Sequence, residues 1–170
     1  MTSVKPLLLV ACLLPLSLVG CQKMGPDPND TTISVGIQFK KGEAGLDGKE
    51  WLESFEQAKE VAARTGRPIL ADFTGSDWCH YCELLHNEVF SKPAFHDWAA
   101  ENVVLLELDF PQRSAQSVEL ATQNQKLSDA YGITGFPTVL FLDEQGKPIG
   151  RSGYLPGGPE TWIADAKKNL

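Results

Sequence analysis

No basic run in this 170-residue chain is longer than two residues, as at Lys40-Lys41 and Lys167-Lys168. A nucleic-acid surface needs clustered positive charge, and a chain of formal charge -7 without such clusters offers none. No apolar run reaches the ~20 residues that span a bilayer. There is no internal repeat and no low-complexity tract. Cysteine is scarce, with four in the chain. Apolar residues make up 42% and charged residues 22%, ordinary for a globular protein. A domain of this size buries enough surface to fold without covalent staples. The few cysteines therefore need an explanation other than stability.

The first of them lie in an unusual leader. Lys5 is the only charge before Lys23, and Leu7 to Val19 is almost unbroken apolar sequence. A basic start, a short apolar core and small residues at its end read as a secretory signal. A buried core helix is the competing reading, opposed by Pro6, Pro15 and the lack of a polar face. Leu18-Val19-Gly20-Cys21 resembles the lipobox of bacterial lipoprotein signal peptides. That resemblance implies cleavage before Cys21 and acylation of it, leaving a mature chain anchored by several acyl chains. The plain alternative is an ordinary signal peptide with a spare cysteine. Gln22, where an Asp would mark inner-membrane retention, favours the outer membrane by the same resemblance. Cys12 leaves with the signal, so Cys79 and Cys82 remain as free thiols in a compartment where disulfides persist.

The expected organisation is a signal over residues 1–20, a lipidated tether over 21–48, and one domain over 49–170. Lys23 to Asp30 is rich in Pro, Gly, Asn and Asp and reads as a tether. Ile33 to Phe39 alternates weakly, as a strand does. Trp51, Leu52, Phe55, Ala58, Val61 and Ala62 form a helical stripe ended by Gly66 and Pro68. Strands are expected at Ile69 to Phe73, Val103 to Leu108, Thr138 to Leu142 and Pro148 to Tyr154. Helices are expected at Cys79 to Phe90 with Leu84, Leu85 and Val89 inward, Ser91 to Asn102, Ser117 to Tyr131 and Pro159 to Leu170. This order describes an α/β domain whose mixed sheet has parallel strands first and a terminal antiparallel hairpin.

Cys79 and Cys82 are spaced to react. Helical residues i and i+3 lie about 5–6 Å apart, the Cα separation that a disulfide needs. So short a loop restrains the unfolded chain little, which suits a reversible bond. A sulfur at a helix N-terminus faces unpaired N–H groups that favour thiolate. Cys79 stands there as the attacking sulfur. Cys82, one turn in and expected to be less exposed, resolves the mixed disulfide. His80 either lowers the thiol pKa or simply faces solvent.

Trp78-Cys79-His80-Tyr81-Cys82 follows Ala71-Asp72-Phe73, and Phe136-Pro137-Thr138 precedes a later apolar strand. This combination resembles the thioredoxin superfamily over about residues 50–170. It is most similar to extracytoplasmic bacterial members related to the C-terminal domain of the membrane thiol-disulfide interchange reductase. The resemblance implies a three-layer α/β thioredoxin-like fold and exchange of disulfides with envelope proteins, with a membrane thiol reductase as a possible electron donor. It assigns Pro137, after Phe136, to a cis-proline that binds extended substrate backbone. It assigns Asp72 to the buried acid behind the resolving cysteine and Trp78 to the aromatic beside the site. Tyr81, a supporting candidate with His80, stands with it where classical thioredoxin has Gly-Pro. No organic cofactor is required, because the two sulfurs carry the electrons. Two further positions depart from classical thioredoxin. The gap from Asp72 to Cys79 is one residue longer, and Leu105 stands where a lysine is found near the acid.

Two other functions compete. Cys79, Cys82 and His86 fall at i, i+3 and i+7 and supply three ligands for zinc or copper, with no evident fourth. A c-type haem site is excluded because Glu83 follows Cys82. A lipid-anchored binding module without catalysis is the remaining alternative, since fold alone does not establish activity.

Overall fold

Ser54 starts the first helix. Its hydroxyl accepts the Gln57 N–H at 3.3 Å, and α1 runs from Phe55–Thr65. Gly66, at φ 69°, ends it by returning its N–H to the Ala62 carbonyl. The computed structural model describes residues 44–170; the signal, Cys21, most of the tether and the Ile33–Phe39 strand lie outside the described residues. Trp51 and Leu52, expected on α1, precede it. Leu52 forms a bridge beside Leu106, and Trp51 packs its ring on Phe90 and Phe95. The Ser54 cap overrides the apolar periodicity there.

The remaining elements are β1 Ile69–Thr74, α2 His80–Leu85, a π-helical turn His86–Phe90, α3 Pro93–Asn102, β2 Val104–Asp109, α4 Val118–Tyr131, β3 Thr138–Leu142, β4 Pro148–Ser152 and α5 Gly158–Ala166. The sheet order is β2-β1-β3-β4. β1 and β2 are parallel, while β1–β3 and β3–β4 are antiparallel. This is the thioredoxin-like α/β arrangement, with the expected terminal hairpin.

Strand alternation divides the core. Ile69, Ala71 and Phe73 join Leu106, Leu108 and the buried face of α1. Leu70, Leu105, Val139 and Phe141 pack beneath Leu85, Phe95 and Trp162 on the opposite side. Each fully buried large side chain contributes on the order of 2–3 kcal/mol of transfer free energy. Asp72 and Thr74 share the parity of Leu70, so β1 carries two buried polar residues on the side that receives α2.

The expected continuous helix from Cys79 to Phe90 is interrupted. At His86 the coil widens, and the Ser91 N–H reaches the His86 carbonyl at 2.8 Å. The extra residue in this turn shifts the helical phase from there onward. Val89 and Phe90 are both buried as a result; Leu84, before the turn and expected inward, is half-buried beside buried Leu85. Phe90 thereby joins an aromatic cluster with Phe95 and Trp162, at 4.7 and 5.4 Å between ring centres.

Candidate active site

The loop from β1 to α2 sets the two sulfurs. Gly75 has no room for a side chain, because a Cβ there would lie 2.5 Å from the Trp78 ring. Its carbonyl accepts the Cys79 N–H at 2.9 Å. Cys79 is the N-cap of α2, and its Sγ accepts the Cys82 N–H at 3.3 Å. The same donor stabilises a thiolate when the pair is reduced. Cys79 and Cys82 form a disulfide with Cα atoms 5.2 Å apart. The expected contrast in exposure is absent, at 6% for Cys79 and 5% for Cys82. Bonded to each other, with Cys79 turned over the first helical turn, the sulfurs shelter together.

The additional residue in Gly75-Ser76-Asp77 ties this loop to the chain after β2. The Asp77 carboxylate accepts N–H bonds from Gln112, Arg113 and Ser114, at 2.9, 2.7 and 2.8 Å, and the Ser114 hydroxyl at 3.1 Å. These bonds, that from Gln112 foremost, hold its pKa down at about 2. Ser76 donates its N–H and its hydroxyl to the Asp109 carboxylate, at 2.9 and 2.6 Å.

Beneath Cys82 lies a cavity of about 290 Å³ that Asp72, Glu107, His86 and Trp51 help to line. Asp72 is 6% exposed, and its Oδ1 has no hydrogen-bond partner. Burial pushes its carboxyl well above the usual range, reinforced by the charges of Glu107 and Asp109. Burial also raises Glu107, with Asp109 and Glu53 adding to the effect. Glu107 was not legible as a site residue. It is the register partner of Asp72 on β2, and only the pairing register reveals it. Leu105, at the position compared with a lysine, is wholly buried in the core.

The other flank of the disulfide is aromatic. Trp78 donates its Nε1–H to the Phe110 carbonyl at 2.8 Å and meets the Phe136 ring edge-on at 5.7 Å. The Phe136–Pro137 peptide bond is cis. Trp78, Phe110, Ile133 and Phe136 line an open groove of about 680 Å³. Tyr81 is 58% exposed and lies against Tyr154, which donates its hydroxyl to Glu88 at 2.8 Å. His80 is exposed, with its ring beside that of Tyr81 at 5.7 Å.

The three-ligand metal reading does not fit this geometry. Among the described residues no three His, Cys, Asp or Glu side chains group as a metal needs. The two thiols are bonded to each other, and exposed His86 opens on the acidic cavity.

The family model for the thioredoxin-like domain matches residues 55–166. The chain belongs to the thioredoxin-like family. Among its thioredoxin-like relatives is the disulfide bond reductase DsbH of Chlamydia pneumoniae, 36% identical over 121 residues, which cover 71% of this chain and 72% of DsbH. A solved DsbH oxidoreductase structure superposes with a TM-score of 0.69 at 33% identity, covering 79% of this chain and 92% of that one. The thiol:disulfide interchange protein DsbD of Vibrio vulnificus is 31% identical over 115 residues, 64% of this chain but only 17% of DsbD. With this kinship and the Cys79–Cys82 disulfide, the chain is a thioredoxin-like thiol-disulfide oxidoreductase.

Proposed function

We propose that this oxidoreductase works as a disulfide reductase on proteins of the cell envelope, held to a membrane through lipid on Cys21. The observation that carries the chemistry is the Cys79–Cys82 disulfide with Cys79 as N-cap of α2. The name of the DsbH relative, a disulfide bond reductase, supports the direction. The leader and Leu18-Val19-Gly20-Cys21 support export and anchoring, and Gln22 favours the outer membrane.

In the reduced enzyme the Cys79 thiolate attacks a substrate disulfide, displacing one substrate sulfur as thiolate. Cys82 loses its proton to Asp72 and attacks Cys79. The enzyme disulfide forms, and the second substrate sulfur leaves with its electron pair. The substrate disulfide gains two electrons and its two thiolates take up protons from solvent, while the enzyme loses the two electrons and the Cys82 proton. Dithiol groups of a membrane thiol reductase restore the pair. The groove along Trp78 and Phe136, next to Pro137, accommodates extended substrate backbone.

Two variants test this. Cys82→Ser traps envelope proteins as mixed disulfides through Cys79, seen as dithiothreitol-sensitive bands; cells without any trapped partner would exclude protein substrates. Cys21→Ala moves the protein from the membrane to the soluble fraction, and unchanged membrane association would remove the anchor. A Cys79–Cys82 potential near the about -270 mV of thioredoxin fits a reductase, whereas one roughly 100 mV higher fits an oxidant.

A further inference from the structure

A proton that Asp72 takes from Cys82 has to be drained before the next cycle. Asp72 is central in the sheet, 6% exposed, and its Oδ1 is unpartnered. It shares the cavity of about 290 Å³ with Cys82 and Glu107. Water occupies about 30 Å³ per molecule in the liquid, so this polar-lined space accommodates a short water chain.

Glu107 stands between that cavity and the margin of the sheet. It is paired with Asp72 in the β1–β2 register, so the two side chains leave the same face. β2 is the outermost named strand on this side. Glu107 also lines a second, small hollow with Glu53, Asp109, Gln116 and Asn124. It therefore borders both the partly open space under Cys82 and the small hollow on the Glu53 side of β2.

We propose that Glu107 is a positioning residue that relays the Cys82 proton between Asp72 and solvent. The inference rests on the exchange reading above and deepens it. In the resolving step the Cys82 S–H bond breaks and its proton goes to the Asp72 carboxylate. The Cys82–Cys79 bond forms while the bond from Cys79 to the substrate sulfur breaks, and that sulfur leaves as thiolate. The proton passes through cavity water to Glu107 and out, and the departing thiolate takes up a proton from solvent. The enzyme is oxidised by two electrons, and the substrate disulfide is reduced by the same two.

Charged and titratable groups surround this path on every side. Asp109 faces the pair from β2 and Glu53 from the segment before α1. Cys82 and Glu83 face it from α2, and His86 from the π-helical turn. Among the described residues the cavity lining holds no lysine or arginine. No cation locks either carboxylate into a permanent ion pair there, and both remain free to exchange protons.

The test uses the reduced protein and a chromogenic aryl disulfide, which yields two coloured thiolates in succession. The first burst reports Cys79 attack and the second reports resolution by Cys82. In Glu107→Gln the first burst is kept, and the second slows on the order of tenfold near neutral pH, a modest share of what general acid–base catalysis supplies. The slowing varies with pH, formate in the buffer restores the rate, and Glu107→Asp resolves close to wild type. Asp72→Asn combined with Glu107→Gln is no slower than Asp72→Asn alone, as two groups on one path require. An unchanged second burst overturns the relay. So does a loss that is equal at every pH and unrescued by formate, since that marks a structural role. Slowing in His86→Asn with none in Glu107→Gln moves the exit to His86 and overturns it as well. If wild type gives no second burst at all, the exchange reading fails, and the relay falls with it.

Discussion

The hollow beneath Cys82 and the groove beside Trp78 differ in charge: carboxylates help to line the first, and only uncharged side chains, apolar and polar, line the second. Asp72 and Glu107 line the first, while Trp78, Phe110, Ile133 and Phe136 line the second. The aromatic side gains from its contacts, with Phe110 and Phe136 5.1 Å apart between ring centres. The acidic side works against stability. Burial of the Asp72 carboxyl disfavours its charged form, as its raised pKa records. A strand position that could hold another valine instead holds a destabilising acid, and perturbed carboxyls of this kind cluster at functional sites. In the proposed exchange the difference separates two tasks: the acidic hollow handles the proton and the groove beside Trp78 handles the substrate.

The largest effect expected from this division is at Asp72. Asp72→Asn slows the resolving burst about 100-fold while the first burst remains, as loss of a direct general base would. It also changes the pH dependence of stability. The folded carboxyl has a raised pKa, so the native state binds the extra proton. The stability this proton contributes is fully present below the unfolded pKa of about 3.9 and is lost as pH rises toward the folded value. Asp72→Asn lacks that loss, and its melting temperature gains on wild type as pH rises above about 4. Parallel melting curves at all pH values would show that folding does not raise the Asp72 carboxyl pKa.

A smaller effect is expected across the disulfide. Phe136→Ala raises the KM for a peptide disulfide by roughly tenfold, the loss of about 1.4 kcal/mol of apolar contact, and leaves the resolving burst alone. If that burst slowed instead, the two hollows would not be separate in function. The smallest effect belongs to Asp77. Its folded pKa is depressed to about 2, so its contribution is present above about pH 4 and is lost as pH falls toward the folded value. Trp78 emission should shift over that acid window in wild type and stay flat in Asp77→Asn. An identical shift in both proteins would show that the tie does not hold the loop.

Much of the frame could be read from residue order alone. β3 runs from Thr138–Leu142 as its apolar run indicates, and α4 begins behind its Ser117 cap. The start of α1 was obscured because Trp51 and Leu52 continue the helical stripe although the chain there is still extended. The π-helical turn leaves no pattern, since one additional residue in a coil changes phase without changing composition. The cysteines, Trp78 and the Phe136-Pro137 pair were visible as candidates through spacing and resemblance. Glu107 was not, because the pairing of β1 with β2 across an intervening helical crossover is a tertiary fact. The near-equal exposure of the two cysteines was hidden for the same reason.

Asp77 and Ser76 are held by residues that come more than thirty positions later, from Asp109 to Ser114. A nascent chain that has emerged only as far as Phe90 already carries both cysteines and lacks both anchors. During synthesis the thiols are thus present before the scaffold that orients them, and the catalytic pair matures only when the polypeptide beyond the second strand arrives.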